Sequence, residues 1–505
     1  MSGLHISKYE IVLPLVSENG VEIEDFALLV NGIYGAFDVV EKPTAEKIIA
    51  GDISALPPAL CERLLFRGHI TRKDEAMELA DALLIGRIAA KLYSEPRLVA
   101  VIMPTYDCNF RCPYCFERHR LGRGSEWLAA VMEPSMVKAI FASLAREQER
   151  GRHIDSLVLF GGEPFLTPNR AIVKDICERA RGLGIPIRAI TNGYEMDAFL
   201  DLITEYQLFD LQISVDGLAE AHDRHRRHKN GHPTYGRIME NIALALERGV
   251  PVNLRVNVNR QNIGGLGALI RDIEERGLHR YSQFSYSFKA VEESTQSPTH
   301  VTDREVLDAI IAADPQGSEL SAIEYEGMYG DMALGLRCAM TKENDPYLTP
   351  AHCNAVQGMA IFDPFGKIFP CAYLVGMEDE AIGCVDEEHG RLLYGFRKAK
   401  WDARTGDLLK PCRNCPYIFF CGGGCAIRAK NESGSPFHSN CGELKDIWNF
   451  TASRVAAAKW AKSGESELTL SLCGVLAKLT AAERETLEQT RSAREMLAIL
   501  RRIGF

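Results

Sequence analysis

The sequence lacks any run of about 18 apolar residues, the length that an α-helix needs to cross the hydrocarbon core of a bilayer. Its start, Met-Ser-Gly-Leu-His-Ile-Ser-Lys, also lacks the basic stretch, apolar segment and small-residue cleavage site of a secretory signal. Both absences argue against a membrane-bound or exported protein. We therefore expect the protein in the cytoplasm, with no membrane partner.

Basic residues are also fewer than acidic residues. The chain has 58 Lys and Arg against 68 Asp and Glu, a formal net charge of -10. Nucleic-acid binding needs a concentrated basic surface, because the phosphates must be neutralised. Nucleic acid is therefore not an expected partner. Internal repeats and low-complexity tracts are missing too, and a chain of 505 residues of ordinary globular composition predicts about two to four domains.

Cysteine, by contrast, is abundant, with 15 residues in the chain. In a short secreted protein this number would indicate disulfides. In a long chain without an export signal, cysteines are more often metal ligands. Most of them fall into two groups with recognisable spacing.

The first group is Cys108, Cys112 and Cys115, a C-x3-C-x2-C loop. Three thiolates can hold a 4Fe-4S cluster and leave one iron open to another ligand. A zinc knuckle or a redox pair would also fit the bare spacing. The loop resembles the signature of radical S-adenosylmethionine (SAM) enzymes, in which an aromatic residue, here Tyr114, precedes the last cysteine. The resemblance implies that an electron from the cluster cleaves SAM to methionine and a 5′-deoxyadenosyl radical, which abstracts hydrogen from an unactivated carbon.

Apolar runs alternate with amphipathic stretches from about residue 96 to 292. Six βα units without hairpin signals predict an α/β fold with a parallel sheet, and six suit a partial (β/α)6 barrel better than a closed eight-fold one. The predicted strands are Leu98–Pro104, Ser156–Gly161, Ile185–Thr191, Phe209–Ser214, Val252–Val258 and Ser282–Phe288. The predicted helices are Trp127–Arg150, Arg170–Gly182, Glu195–Tyr206, Tyr235–Gly249 and Leu266–Gly277.

Polar motifs follow these strands, at the end of the barrel where such folds carry their chemistry. The resemblance implies that Gly161, Gly162, Glu163 and Pro164 hold the SAM amino group, with the glycines allowing close approach and the glutamate supplying opposing charge. Alone, this motif would be an ordinary turn. By the same resemblance Ser214 contacts the ribose or carboxylate region, Tyr114 packs near the adenine, and Asn192 is a weaker polar candidate. Arg226 is a candidate partner of the SAM carboxylate, or else a surface arginine in a basic helix cap.

The second group is Cys412-x2-Cys415-x5-Cys421-x3-Cys425, followed by Cys441 and preceded by Cys353 and Cys371. These seven thiols are more than one zinc ion needs. Its spacing resembles the SPASM extension of radical SAM enzymes, which carries two auxiliary 4Fe-4S clusters. The resemblance implies an outer cluster held by Cys412, Cys415, Cys421 and Cys441. It also implies an inner cluster held by Cys353, Cys371 and Cys425, and we expect Cys338, rather than Cys384, as the fourth ligand. If neither binds, the open iron could take a substrate thiolate. Three further cysteines are expected to be buried apolar residues: Cys61, Cys177 and Cys473.

Residues 360–371 read as a hairpin in which Asp-Pro-Phe-Gly turns the chain and brings Cys371 back towards the cluster.

The region before the first cysteine loop predicts strands, then helices at 44–51 and Pro58–Arg67. This order resembles the winged-helix-like elements that bind leader peptides in peptide-modifying systems, and a structural cap would have the same pattern. The expected domains are 1–95 (winged-helix-like, peptide recognition), 96–320 (barrel), 335–450 (SPASM) and 451–505 (C-terminal helices, clearest at Lys445–Ala461 and Ala481–Arg502).

SPASM enzymes mostly modify peptides and proteins, so the resemblance implies an oxidoreductase that matures a ribosomally made peptide through a thioether or carbon-carbon crosslink. Its expected partners are the precursor peptide and an electron donor such as flavodoxin or ferredoxin. An anaerobic sulfatase-maturing enzyme, which makes formylglycine, is a second interpretation. Members of that family have an aspartate directly after the cysteine that corresponds to Cys371, where this chain has Ala372. A protein-subunit maturase, an enzyme acting on a small molecule and a non-catalytic iron-sulfur carrier or scaffold are further interpretations. The motifs indicate no particular catalytic base.

Overall fold

The computed structural model describes residues 3–18, 20–93, 97–291, 297–313, 328–341, 348–356, 358–490 and 493–503. The predicted boundaries near residues 95 and 320 lie outside these ranges. The N-terminal unit contains β1 (His5–Ile6), β2 (Glu10–Val16), β3 (Glu22–Asn31), β4 (Ala36–Glu41), α1 (Lys42–Ile49), α2 (Pro58–Arg67), β5 (Ile70–Thr71) and α3 (Glu75–Tyr93).

The N-terminal unit is an antiparallel sheet in the order β2-β3-β4, packed against helices. Strand β2 alternates buried Ile11, Leu13 and Leu15 with more exposed neighbours, as a sheet covered on one face requires. Helix α2 ends where Gly68 takes a left-handed conformation at φ 90° and donates its N–H to the last turn. The predicted strands followed by helices are therefore present, and α3 is an addition that the sequence pattern does not indicate.

The central region contains β6 (Arg97–Ile102), α4 (Ser125–Ala129), α5 (Pro134–Glu149), β7 (His153–Leu159), α6 (Arg170–Gly182), β8 (Ile187–Thr191), α7 (Leu200–Glu205), β9 (Asp210–Ser214), α8 (Ala219–His225), α9 (Tyr235–Glu247), β10 (Val252–Val258), α10 (Leu266–Glu275) and β11 (Phe284–Ala290). Its six strands are all parallel, and each pairs with the next in chain order. The predicted six-stranded parallel sheet is thus confirmed.

One predicted helix, Trp127–Arg150, is in fact two. Val131 leaves the helical path to form an antiparallel bridge with Thr105 of the cysteine loop. Pro134 then begins α5, where its missing N–H costs nothing because the first turn has no internal acceptor for it. The interruption places α4 against the cysteine loop instead of along the barrel.

The remaining elements are α11 (Asp303–Ala313), α12 (Met328–Thr341), β12 (Met359–Phe362), β13 (Lys367–Phe369), β14 (Gly383–Asp386), β15 (Arg391–Tyr394), α13 (Phe396–Asp402), α14 (Ile418–Cys421), α15 (Ala426–Ser433), α16 (Leu444–Ser463), α17 (Leu472–Leu476), α18 (Ala481–Gln489) and α19 (Ala493–Ile503). The predicted boundary at 335 falls inside α12, and the one at 450/451 falls inside α16. The predicted helix Ala481–Arg502 is divided into α18 and α19.

The cysteine-rich region continues the barrel sheet. Strand β12 pairs in parallel with β6, and β13, β14 and β15 follow as an antiparallel extension, which makes ten strands in one sheet. Strands β12 and β13 form the predicted hairpin, with Gly366 at φ 76° in its turn. The hairpin therefore delivers Cys371 from the same sheet that carries the first cysteine loop.

The chain after α16 returns to the N-terminal unit. Asp38 and Glu467 form an antiparallel bridge, flanked by bonds from Val39 N to Ser466 O and from Leu468 N to Phe37 O, each 2.8 Å. Thr469 Oγ1 also bonds Phe37 N at 2.9 Å. Residues 466–469 therefore close the β4 edge of the sheet, and the C-terminal helices pack on the N-terminal unit rather than standing apart.

A buried ionic network fixes this junction. Arg67 bonds Asp38 through Nη2 at 2.7 Å and Nε at 2.9 Å, and donates to the Thr469 carbonyl at 2.8 Å. His69 lies between two carboxylates, 2.6 Å from Asp38 and 2.8 Å from Glu10. Buried charges are tolerated when they are paired in this way.

None of the described helices has both the length and the apolar character needed to span a bilayer.

Candidate functional site

The Cys108, Cys112 and Cys115 loop lies beyond the C-terminal end of β6. It is held by a short antiparallel contact with residues 227–229: Phe110 bridges His228, Arg111 N bonds Arg227 O at 2.9 Å, and Lys229 N bonds Asn109 O at 2.7 Å. A loop that must present three thiols to one group needs such external support, because it has no regular structure of its own.

The three thiols lie together and point inward. Burial raises the pKa of each of them, and the pKa of Cys115 rises to about 12 with Glu117 and Cys112 nearby. Thiols in such a setting stay protonated unless a cation replaces the protons, as a bound metal does. Within the described ranges, no three His, Cys, Asp or Glu side chains are close enough to hold a single metal ion.

The Gly161-Gly162 turn after β7 brings the neighbouring strand end against this loop. Gly161 has φ 130°, and a Cβ on it would lie 2.8 Å from the Thr105 carbonyl oxygen. The Gly162 N–H bonds that same carbonyl at 3.2 Å, and the Glu163 N–H bonds the Asp107 carbonyl at 2.8 Å. Both glycines are required because the cysteine loop itself passes against them, so the motif is more than an ordinary turn.

The Glu163 side chain is buried at the end of β7. One carboxylate oxygen accepts from Thr191 Oγ1 at 2.6 Å, and the other accepts from Asn192 N at 2.7 Å. Burial raises the pKa of Glu163 to about 7 despite these bonds. Glu163 therefore ties the end of β8 to the end of β7.

Asn192 continues this link to the cysteine loop. Its Nδ2 donates to Asn109 Oδ1 at 2.7 Å, and the Asn109 amide in turn donates to Glu195 at 3.1 Å. Its own Oδ1 accepts from the Tyr194 N–H at 2.9 Å. The amide group thus orients the residue that follows Cys108.

A second polar group joins the loop to the end of β9. The Tyr114 hydroxyl donates to Asp216 and accepts from Arg226 Nη1 at 2.7 Å. Arg226 is only 9% exposed, so it is not a surface arginine in a helix cap. Its Nε is buried without a hydrogen-bond partner among the described residues. Ser214 is also buried at the last position of β9.

An open cavity of about 340 Å³ lies at the loop. Its walls include all three cysteines and Gly162. Three thiols, a cavity beside them and a buried arginine with an unsatisfied N–H fit a cluster together with a ligand that carries a carboxylate. The residues present therefore suit a cluster with SAM bound to it.

The second cysteine group separates into two sets. The first set contains four thiols that lie close enough to affect one another's charge: Cys412, Cys415, Cys421 and Cys441. Burial raises the pKa of Cys412 to about 11 and that of Cys421 to about 12. Arg404 lies behind this set and donates to the carbonyls of Gly424 and His438 at 2.7 and 2.9 Å. The buried Arg404 side chain therefore stabilises the backbone of the loop that carries these thiols.

The second set is Cys353, Cys371 and Cys425, which lie together at a cavity of about 420 Å³. The cavity is also lined by Lys289, from β11, the last strand of the barrel, and by Tyr373. In the described part of the chain, neither Cys338 nor Cys384 lines it. Helix α12 reaches the cavity through Met332 and Gly335, one turn before Cys338, whereas Cys384 lies on β14 opposite Leu393.

The three remaining cysteines lie in apolar surroundings. Cys61 is buried in α2 and Cys177 in α6. Cys473 is half-buried, with its thiol 3.7 Å from the Leu65 carbonyl. They lie on the helices that the sequence indicates.

Aromatic contacts connect the first cysteine loop to the inner set. Phe116, directly after Cys115, stacks on Tyr373 with 4.4 Å between ring centroids. Arg120 is buried beside them, donates to the Val375 carbonyl at 2.9 Å and lies over the Tyr106 ring. The Tyr106 hydroxyl reaches Asp363 in the β12–β13 turn at 2.6 Å. The two cysteine sites are thus packed against each other through a small number of side chains.

Residues 102–275 match the family model of the Radical SAM superfamily. They form a radical SAM domain. The match begins at the last residue of β6 and ends at the last residue of α10. This superfamily uses a 4Fe-4S cluster and SAM, which agrees with the residues around the first cysteine loop.

Curated relatives extend the radical SAM match beyond this domain. The chain is 21% identical over 369 residues to the cysteine-type anaerobic sulfatase-maturating enzyme of Clostridium novyi (strain NT), covering 69% of this chain and 93% of that protein. It is 22% identical over 337 residues to the antilisterial bacteriocin subtilosin biosynthesis protein AlbA of Bacillus subtilis (strain 168), covering 65% of this chain and 67% of that protein.

Solved radical SAM structures share the fold. Native anSMEcpe with bound AdoMet and Cp18Cys peptide has a TM-score of 0.56 at 17% identity, covering 72% of this chain and 99% of that one. SuiB of Streptococcus suis bound to its precursor peptide SuiA has a TM-score of 0.50 at 15% identity, covering 88% of this chain and all of that one. The resemblance to radical SAM enzymes of the SPASM type is confirmed.

Sequence reasoning missed several residues of the radical SAM site. Asp216 stands two residues after Ser214, but nothing in the local sequence indicates that its carboxylate meets Tyr114 from the cysteine loop. Arg120 and the Tyr106–Asp363 pair carry no signal, because their partners lie about 250 residues away in the sequence. Contacts of this kind follow from the fold and not from local spacing.

Proposed function

We propose that the protein is a SPASM-type radical SAM maturase that forms a thioether or carbon-carbon crosslink in a ribosomally synthesised peptide. The observation that carries the proposal is the direct packing of the SAM loop against the inner cysteine set, through Phe116 on Tyr373 at 4.4 Å. Crosslinking needs a site that abstracts hydrogen to make a substrate radical. It also needs a nearby group, here a cluster on the inner cysteine set, that accepts one electron from the peptide as the bond forms.

The chain's own residues would bind and orient SAM. Cys108, Cys112 and Cys115 would hold the cluster, which supplies the electron that cleaves SAM to methionine and a 5′-deoxyadenosyl radical. Arg226 would pair with the SAM carboxylate. The turn of Gly161, Gly162, Glu163 and Pro164 would hold the SAM amino group, with the glycines allowing close approach and the glutamate supplying opposing charge. Tyr114, Asn192 and Ser214 would line the remainder of the pocket.

Two auxiliary 4Fe-4S clusters complete the proposal, for a total of three. Cys412, Cys415, Cys421 and Cys441 would hold the outer one. Cys353, Cys371 and Cys425 would hold the inner one with Cys338 as the fourth ligand, supported by the adjacency of α12 to the 420 Å³ cavity. Cys384 or a substrate thiolate is the alternative ligand.

The N-terminal unit would bind the leader of the precursor peptide. Extended peptides often add to an open sheet edge, but β4 is covered by residues 466–469. Strand β2 presents Pro14, and Ser453 Oγ bonds both the Pro14 carbonyl and the Val16 N–H. The leader is therefore expected on the helices, where Ile49, Phe66 and Met77 are each more than half exposed.

A flavodoxin or ferredoxin would supply electrons. The cytoplasm is the proposed location, since a reducing compartment keeps ligand thiols from forming disulfides. SuiB and anSMEcpe, which share the fold, have been solved with a precursor peptide and a substrate peptide respectively.

Formylglycine formation is the second candidate, favoured by the similarity to a sulfatase-maturating enzyme. Ala372 argues against it, because a methyl group stands where that family has a carboxylate directly after the cysteine. Asp363 in the neighbouring turn does not replace it, since it already accepts a bond from Tyr106. The crosslinking reaction therefore has the stronger support.

The test is anaerobic reconstitution with iron and sulfide, followed by incubation with SAM, dithionite and each small peptide encoded beside the gene. Crosslinking predicts 5′-deoxyadenosine and a peptide lighter by two hydrogens, with no aldehyde trapped by hydroxylamine and, for a thioether, one thiol fewer. A trapped aldehyde would favour formylglycine instead. Clusters that assemble without any 5′-deoxyadenosine would leave only a carrier or scaffold.

A further inference from the structure

We propose that Asp216 is a positioning residue for SAM, which fixes Arg226 through the Tyr114 hydroxyl so that the arginine faces the carboxylate of the ligand. The inference rests on SAM being the ligand, as in the proposed function. It adds a residue outside the cysteine and glycine motifs, and it assigns the Tyr114 hydroxyl a role separate from that of its ring.

Asp216 is held rigidly at the end of β9. Its side chain is fully buried, and its Oδ1 accepts from Asn257 N and Nδ2 at 3.3 and 3.2 Å. Its backbone is fixed on both sides, by a 3.3 Å bond from its N–H to His222 Nδ1 and a 2.8 Å bond from Asn262 Nδ2 to its carbonyl. One oxygen, Oδ2, remains for the Tyr114 hydroxyl.

The hydrogen bonds in this group have only one possible direction. A carboxylate only accepts, and a guanidinium only donates. The single Tyr114 proton must therefore go to Asp216, which leaves the phenol oxygen to accept from Arg226 Nη1 at 2.7 Å. Asp216, which is held by its own bonds, therefore orients the Tyr114 hydroxyl and, through it, Arg226.

One N–H of Arg226 has no hydrogen-bond partner among the described residues. Its guanidinium carbon lies 5.8 Å from the centre of the Phe110 ring, and its Nε is buried with no hydrogen-bond partner in the part of the chain that the structure describes. A buried unpaired N–H on a charged group is costly, and a carboxylate accepts well from a guanidinium edge. Tyr114 holds Nη1, whereas Nε is the buried N–H of this group that has no partner among the described residues.

A purely structural role for the network makes a different prediction. If Asp216 and Tyr114 only hold the cysteine loop in place, their loss should release iron and weaken every ligand equally. If they position Arg226, the loss should fall on ligands that carry an amino-acid end. 5′-Methylthioadenosine separates these cases, because it keeps the adenosine and the sulfur of SAM but lacks the carboxylate.

The experiment measures the Kd of SAM and of 5′-methylthioadenosine by equilibrium dialysis on the fully reconstituted enzyme. The variants are Tyr114→Phe and Asp216→Asn, which nearly conserve side-chain volume. We expect each to weaken SAM about tenfold or more, the loss typical of a hydrogen bond to a charged group. The Kd of 5′-methylthioadenosine and the iron content should change less than about twofold.

Tyr34→Phe is the matched control. The Tyr34 hydroxyl also contacts an aspartate and a cation, Asp81 at 2.6 Å and Lys73 at 3.1 Å, but it lies in the N-terminal unit. It should leave both ligands unaffected. If Asp216→Asn does not fold, Tyr114→Phe alone decides the question.

Equal weakening of both ligands, loss of iron in the variants, or unchanged SAM affinity would each overturn the inference. Failure of the proposed function looks different. A wild-type enzyme that binds SAM but modifies no peptide would remove the proposed function and leave the inference intact. A wild-type enzyme that does not bind SAM would remove both.

Discussion

Gly162 lies directly against the backbone of Asp107: a Cβ on the glycine would be 2.1 Å from the Asp107 carbonyl oxygen. The contact explains why the turn after β7 has no side chain where it meets the cysteine loop. It also means that one methyl group at residue 162 has to displace the loop that carries Cys108.

Gly162→Ala is therefore expected to lower SAM cleavage by about a hundredfold or more, since a misplacement of about 1 Å can have that effect. The measurement is 5′-deoxyadenosine formed per reconstituted enzyme. Gly236→Ala is the control, because a Cβ at this position in α9 meets nothing within 4 Å, and it should stabilise the helix by up to about 1 kcal/mol. Equal activity in the two variants would show that the loop does not depend on this contact.

The two cysteine sites should respond differently to loss of a ligand. Cys112→Ala is expected to abolish SAM cleavage, because it removes a thiolate from the loop that would hold the SAM cluster. Cys421→Ala should keep part of the cleavage but lose the peptide product. The measurements are 5′-deoxyadenosine and product by mass spectrometry, with Cys177→Ala, in the core of α6, as the control. Equal retention of product in Cys112→Ala and Cys421→Ala would contradict the assignment.

The fourth ligand of the inner set can be tested in the same way. Cys338→Ala should alter the electron paramagnetic resonance signal of the reduced inner cluster, because α12 lines the cavity one turn before this residue. Cys384→Ala, on β14, should leave the signal and the iron content unchanged. The opposite pattern would exchange their roles, and no effect from either would favour an open iron.

The network at the junction of the chain ends predicts a pH dependence. Burial alone would lower the pKa of His69, but the carboxylates of Glu10 and Asp38 raise it to about 9. In the unfolded chain the ordinary value is 6.5. Between these values the folded state keeps a proton that the unfolded state has lost, so stability is full below pH 6.5 and falls as the pH rises towards 9, by up to about 3 kcal/mol.

Hydrogen exchange reports this loss where it occurs. The protection factors of the Val39 and Leu468 amides, which bond across the junction, should fall between pH 6.5 and 9 after correction for intrinsic exchange. In His69→Gln the starting protection should be lower and the decline absent. A wild-type junction that keeps constant protection across this range would mean that His69 is not charged in the folded protein.

Regular elements can be predicted closely from the sequence. Strand Val252–Val258 and helices Arg170–Gly182 and Pro58–Arg67 have the expected bounds, because apolar periodicity and helix-ending residues are local signals. Helix α3 escapes prediction because it is apolar on most of its surface, with Leu84, Ile85 and Ile88 all buried, so it shows no clear amphipathic period.

Some residues of the candidate site can be predicted from the sequence and others cannot. The cysteines and glycines have fixed spacing, and that spacing reflects the group they would hold. The positions of Asp216 and Arg120 depend on which distant elements the fold brings to them. Glu163 illustrates the limit: its motif is recognisable in the sequence, but the bonds of its carboxylate to Thr191 and Asn192 are not.

Residues 466–469 have a consequence for the order of folding. A ribosome releases β4 more than 400 residues before the segment that covers it, so the sheet edge stays open while the barrel and the cysteine-rich region are made. An open edge can pair with other chains. The N-terminal unit is thus the first part of the protein to be synthesised and among the last to be completed, and a nascent chain that stalls before residue 466 would expose an aggregation-prone edge.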